Sequence, residues 1–241
     1  MRQDRRHAGA SIGGGRLPAR LPPPQVFLIR LRPYALPLAA AVLLLATTLD
    51  VLAGGLLRRF DHWVFDGGLP PRTGAWHFFW RIVVNGGQYW IVATGVVLAT
   101  LWVAWRHRDQ GRRSVIGFLA RAGLWLAGTE LTIRAAQIGF ARTPPRTGAD
   151  LLFEGGYLSY PSGHAANAAA CWIFILAMLG ATRRWTIAGH ALIAGVAFAV
   201  VTLGYHWPTD AIAGWALGAV LGWGGAVLVT GWPGSQDAPA H

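Results

Sequence analysis

The chain has 241 residues, of which 54% are hydrophobic and only 13% charged, with a formal net charge of +11. Several apolar runs are long enough to cross a bilayer, which excludes a soluble globular enzyme and defines an integral membrane protein. All 21 basic residues are arginine, gathered in the amino-terminal tail and in loops; that is the pattern of topology signals and anionic-lipid contact, and it argues against nucleic acid as a partner.

In chain order, residues 1–32 are rich in Arg, Pro and Gly without an apolar period and read as a disordered basic arm, not as a cleaved signal peptide. The first apolar run, about Tyr34 to Leu57, has the length of a span; Asp50 within it is costly in lipid and is expected to face other helices. Residues 58–84, including Phe60-Asp61-His62-Trp63, read as an amphipathic interfacial connection. A second span runs from about Tyr89 to Trp105, closed by Arg106-His107-Arg108-Asp109. The third begins near Ser114 and carries Arg121, Glu130 and Arg134, the last two spaced i,i+4 so that they meet on one helix face.

A polar loop containing Pro144-Pro145 leads to the fourth span, about His164 to Leu179. Arg183-Arg184 precedes the fifth, about Trp185 to Leu203, and the sixth runs from about Ala211 to Thr230. Glycines 214, 218, 222, 224 and 225 give this last helix small faces on which a neighbour can approach closely. The expected architecture is all-α: a six-transmembrane-helix bundle over 33–231 with a short tail, 232–241. Thirteen arginines lie in the tail, the 106–113 loop and the 183–184 loop, which places the amino terminus in the cytoplasm. The loop before Pro161 and the loop holding His206 then share the non-cytoplasmic side. Cys171 stands alone in an apolar run and forms no internal disulfide.

Two motifs meet on that side: Pro161-Ser162-Gly163-His164 at the head of the fourth span, and Tyr205-His206-Trp207-Pro208-Thr209-Asp210 before the sixth. Helix starts with Ser-Gly favour anions, because the first N–H groups are unsatisfied and the dipole's positive end faces them. Asp210, four residues after His206, can accept the imidazole's second N–H and fix its tautomer, making His206 an oriented nucleophile with His164 as the complementary acid. Ser162 at the N-cap, with the N–H groups of Gly163 and His164, would hold non-bridging phosphate oxygens. Separately, each motif also reads as an ordinary helix cap.

At these residues the chain resembles the type 2 phosphatidic acid phosphatase and haloperoxidase superfamily, whose pattern is K-x6-R-P, P-S-G-H and S-R-x5-H-x3-D. The second motif stands intact at Pro161 to His164 and the H-x3-D part of the third at His206 and Asp210. The resemblance implies a phosphohistidine on His206, orientation by Asp210, general acid catalysis by His164, and neither metal nor cofactor. It departs at Val200 and Ala199, where the family has Arg and Ser. The first motif aligns with Gln137, Pro144 and Pro145, or with Arg134 and Arg142 at a spacing longer by one and with Thr143 in the Pro position. Arg142, Arg146 and Arg134 are the nearby cations expected to replace the missing phosphate clamp.

The activity these residues imply is hydrolysis of a lipid phosphate such as phosphatidic acid, phosphatidylglycerol phosphate or an isoprenyl pyrophosphate, at the non-cytoplasmic face of a bacterial plasma membrane. Transfer of the phosphoryl group to an alcohol is a variant of the same chemistry. The competing reading is a catalytically weak or inactive scaffold that binds lipid phosphate. Halide oxidation is disfavoured, since the family's haloperoxidases are soluble.

Overall fold

A computed structural model describes residues 24–231, with side chains from Tyr34 onward. The chain divides into two units, Met1–Arg32 and Pro33–His241, and the helical bundle with its site belongs to the second. Among the described residues the regular structure is entirely helical: α1 (Pro24–Ala53), α2 (Leu56–Phe65), α3 (Gly74–Val84), α4 (Tyr89–Arg106), α5 (Arg112–Phe140), α6 (Gly163–Met178), α7 (Arg183–Thr202) and α8 (Pro208–Thr230), with three short 3₁₀ turns. α1 opens at Pro24, inside the stretch that reads as an arm; the rest of that arm and the tail lie outside the described residues.

The first apolar run does not reach Leu57. Gly54 adopts a left-handed φ of +65° that ends α1. Asp50 Oδ1 then accepts the Arg58 backbone N–H at 2.9 Å, so the intramembrane carboxylate is spent on opening α2. The 58–84 connection consists of two short helices, α2 and α3, whose apolar and polar residues segregate by face.

Four helical segments are long and apolar enough to cross a bilayer: Tyr34–Ala53, Tyr89–Arg106, Arg183–Thr202 and Pro208–Val229. α5 has the length, 29 residues or about 43 Å, but also carries charge. α6 has only 16 residues and is mostly buried. It packs chiefly against α8 and also against α7 and α4. Large apolar side chains stand exposed around the bundle, among them Leu45, Leu98, Leu131, Ile187 and Leu228. Such a surface is stable in lipid and not in water, and the chain is an integral membrane protein.

The α6–α8 contact is the one the glycines make possible. A Cβ at Gly214, Gly218 or Gly222 would strike the backbone oxygen of Ser162, Ala166 or Ala170 respectively. These three glycines, spaced by four, form one face of α8 along which α6 lies in backbone contact. Gly225 instead receives the Trp125 indole, while Gly224 faces open space. Below the site, Trp125 stacks on Phe174 with centroids 3.9 Å apart, in a core completed by Val92, Val96 and Ala122.

Candidate active site

α6 and α8 begin at the same end of the bundle, tied by a hydrogen bond from the Ser162 backbone N–H to the Asp210 carbonyl at 2.9 Å. Ser162 caps α6, accepting the Ala165 N–H at 3.4 Å. Pro208 opens α8 with no N–H to leave unsatisfied, and Asp210 Oδ2 accepts the Trp207 N–H at 3.0 Å. The consequence is convergence: the rings of His164 and His206 lie 6.4 Å apart, centroid to centroid, at 65°. Both line a cavity of about 260 Å³, shared with Gly163, Gln88, Gln137 and Arg134. Gly87 packs so tightly on the His164 carbonyl that any Cβ there would collide with it.

His206 Nδ1 lies 2.9 Å from the Ser159 carbonyl oxygen. A carbonyl only accepts, so this nitrogen carries a proton, and in the neutral ring the lone pair is on Nε2. Spacing alone makes Asp210 the expected acceptor, but its Oδ2 stands 3.7 Å from Nδ1, beyond hydrogen-bond reach. Its oxygens are occupied: Oδ2 also accepts from Ser159 Oγ at 2.5 Å, and Oδ1 accepts from Arg142 at 2.8 Å. Asp210 therefore positions Ser159, and Ser159 positions the imidazole. Across the cavity, His164 Nε2 donates to Gln88 Oε1 at 2.8 Å.

Arg142 is fully buried, and its place does not fit the reading of it as a phosphate ligand. Nε bonds Asp150 at 2.7 Å; NH1 bonds Thr209 and Asp210; NH2 bonds Asp61 at 2.8 Å and Asp150 at 3.0 Å. All five guanidinium donors are thus engaged by protein. Burial alone would lower the Arg142 pKa, but Asp210, Asp150 and Asp61 together raise it. Burial would likewise raise Asp150, yet hydrogen bonds and charge from Arg142 and Arg58 bring it down to about 2. Asp61 goes the other way: burial pushes it up from 3.8 against the pull of Arg142 and Thr209.

The other expected phosphate ligands separate. Gly163 and His164 line the cavity between the histidines, and Arg134 does too, 3.6 Å from Glu130. Ser162 is fully buried behind the helix start. Arg146 lies elsewhere, over the Tyr205 ring at 5.0 Å and bonded to the Leu203 carbonyl, beside Arg72 and Arg81. Val200 and Ala199 are packed with Leu203 and Ala211 in an apolar core, so no side chain from that turn of α7 reaches the cavity as a cation. Sequence reasoning missed Ser159, Gln88, Asp61 and Asp150 as parts of the site. Asp61 carried a signal, being a carboxylate in an apolar setting; Ser159 and Gln88 carried none.

Two histidines thus meet at one end of a helical bundle in an integral membrane protein, one of them held through Nδ1 by the Ser159 carbonyl. Residues 118–232, from within α5 to just past α8, match the PAP2 superfamily. The fold extends further. The chain is similar to the crystal structure of a transmembrane PAP2-type phosphatidylglycerolphosphate phosphatase from Bacillus subtilis, with a TM-score of 0.58 at 18% identity, covering 86% of this chain and 100% of that one. No curated protein sequence matches.

Proposed function

We propose that the protein is a membrane phosphatase that hydrolyses a lipid phosphate or isoprenyl pyrophosphate through a phosphohistidine on His206. The observation that carries this reading is the 6.4 Å approach of two histidine rings from α6 and the start of α8, with Nε2 of His206 left as the lone-pair nitrogen. In the first step Nε2 bonds to phosphorus as the bond to the leaving oxygen breaks; that oxygen takes the electron pair and a proton from His164. In the second, water attacks the phosphohistidine, His164 takes the water's proton, and phosphate departs. The N–H groups of Gly163 and His164 and the Arg134 guanidinium serve the non-bridging oxygens, where each preorganised donor is worth about 3 kcal/mol in the transition state.

Counting α5 and α6 as spans gives six, with Glu130 and Arg134 of α5 at the cavity and α6 shielded by its neighbours. The site then opens on the non-cytoplasmic side of a bacterial plasma membrane, where arginine is sparser. A second reading, a weak or inactive lipid-phosphate binder, is favoured by the engagement of Arg142 and the apolar packing of Val200.

The test is phosphate release by the purified protein in detergent, with a chelator present, over phosphatidic acid, phosphatidylglycerol phosphate and farnesyl diphosphate. Release that disappears in His206→Ala, with a labelled phosphohistidine trapped on the native chain, supports the phosphatase. No release from any of them leaves the binder; release unchanged in His206→Ala overturns the assignment of the nucleophile.

A further inference from the structure

His164 stands in the wall between two cavities. On one side is the 260 Å³ space it shares with His206. On the other is a larger one, about 620 Å³, lined by Arg72 just ahead of α3, by His77 and Arg81 on α3, by Gln88, and by Tyr205. Arg146 adjoins it through a continuation lined by the same Arg72, His77, Arg81 and Tyr205. Three guanidinium groups thus face one basin, and among the described residues none of them has a carboxylate partner. Arg146 Nε is buried with no hydrogen-bond acceptor. Burial and the nearby charge of Arg72 both lower the Arg146 pKa, so the cluster is an uncompensated positive field. Arg72 and Arg81 are exposed and Arg146 is half-buried, and like charges gathered in one basin without counter-charge attract an anion.

Position decides which part of a substrate meets that field. In-line displacement puts the entering nitrogen and the leaving oxygen on opposite sides of phosphorus. His206 enters from the inner cavity and His164 protonates the leaving oxygen, so the leaving group extends past His164 into the basin. We propose that Arg72, Arg81 and Arg146, with His77, form a subsite for an anionic leaving group, so that the preferred substrate carries a second phosphate on the far side of the scissile bond. This rests on the phosphatase reading of the paired histidines. With a diphosphate, the terminal phosphoryl passes to His206, the bridging oxygen leaves with its electron pair on the inner phosphate, and the guanidinium groups hold that monophosphate; water then releases inorganic phosphate from His206.

The anion could also be a bilayer headgroup, and the experiment separates the two. Full-length protein in non-ionic detergent is assayed on farnesyl diphosphate and farnesyl monophosphate, which share a tail and differ by one phosphate. Each charge-assisted pair is worth about tenfold. The native chain is expected to favour the diphosphate in kcat/KM, and the exposed double variant Arg72→Ala/Arg81→Ala to shrink the diphosphate-to-monophosphate ratio by at least about tenfold, with Arg72→Lys/Arg81→Lys restoring part of it. An unchanged ratio overturns the subsite. So does a variant whose only defect is loss of stimulation by added phosphatidylglycerol, equal on both substrates, which would make the basin a lipid dock. Calorimetric binding of inorganic pyrophosphate to His206→Ala, with and without the two arginine substitutions, reads the basin without turnover: weaker binding in the arginine-substituted protein supports the anion site even if the phosphatase reading fails, and equal binding removes it.

Discussion

Arg142 shows how a residue can be placed correctly and its partner misread. Its charge beside two helix caps points to the site, but a phosphate and a set of three carboxylates ask for the same guanidinium geometry, and only tertiary structure tells them apart. Asp61, Asp150 and Asp210 reach it from α2, the 141–162 loop and α8. Removing the cation by Arg142→Ala strands these acids, and the expected loss is about 3–5 kcal/mol, read as a large fall in the detergent melting temperature. Arg142→Lys, with three donors and no planar fork, should recover only part of it. Asp150 adds a pH dependence whose sign is fixed. Its folded pKa, about 2, is below its ordinary 3.8, so its stabilisation is complete above about pH 4 and drains away as pH falls toward 2. An Asp150→Asn protein should show a flatter melting-temperature profile across that window than the native chain.

Among the elements, the glycine face of α8 was legible because small residues at a spacing of four have one common use in a membrane helix. What the sequence left open was which neighbour uses it, and the structure answers α6. This pairing positions the candidate site, since the same two helices carry His164 and, at the start of α8, the His206–Asp210 turn. Gly218→Leu, whose Cβ already meets the Ala166 carbonyl, should therefore separate the helices and cost about 1–3 kcal/mol or more. Phosphate release should fall further than stability alone accounts for, while Gly224→Leu, at an open position, should spare both. The short helices α2 and α3 read from sequence as one interfacial connection; their composition shows amphipathicity, but not that Gln88, just after α3, holds His164.

At the scale of the whole molecule, the all-helical class and the shared end of the two histidine motifs were both readable from alternating apolar runs and arginine-rich loops. Four helices have the length and hydropathy of a span; α5 and α6, which the six-span expectation also counts, depart from that hydropathy for opposite reasons, one carrying charge and the other short and enclosed. Orientation is open to a direct check. With Cys171 replaced by Ala, a single cysteine at exposed Glu154 should react with a membrane-impermeant maleimide in intact cells, whereas one at exposed Gln110, at the other end of the bundle, should react only after permeabilisation. The reverse labelling would put the histidines on the cytoplasmic side.

The buried knot around Arg142 also has a bearing on biosynthesis. Thr209 donates to Asp61 across 148 residues of chain, and Asp210 meets Arg142 across 68. During amino-to-carboxyl synthesis the earlier acids and the guanidinium enter the bilayer's edge well before their final partners leave the ribosome. Until α8 docks, Arg142 and Asp61 can pair with each other and with Asp150, but the Thr209 and Asp210 groups that complete their hydrogen bonding are missing, so a chain truncated ahead of α8 keeps the ion pairs and loses their closure.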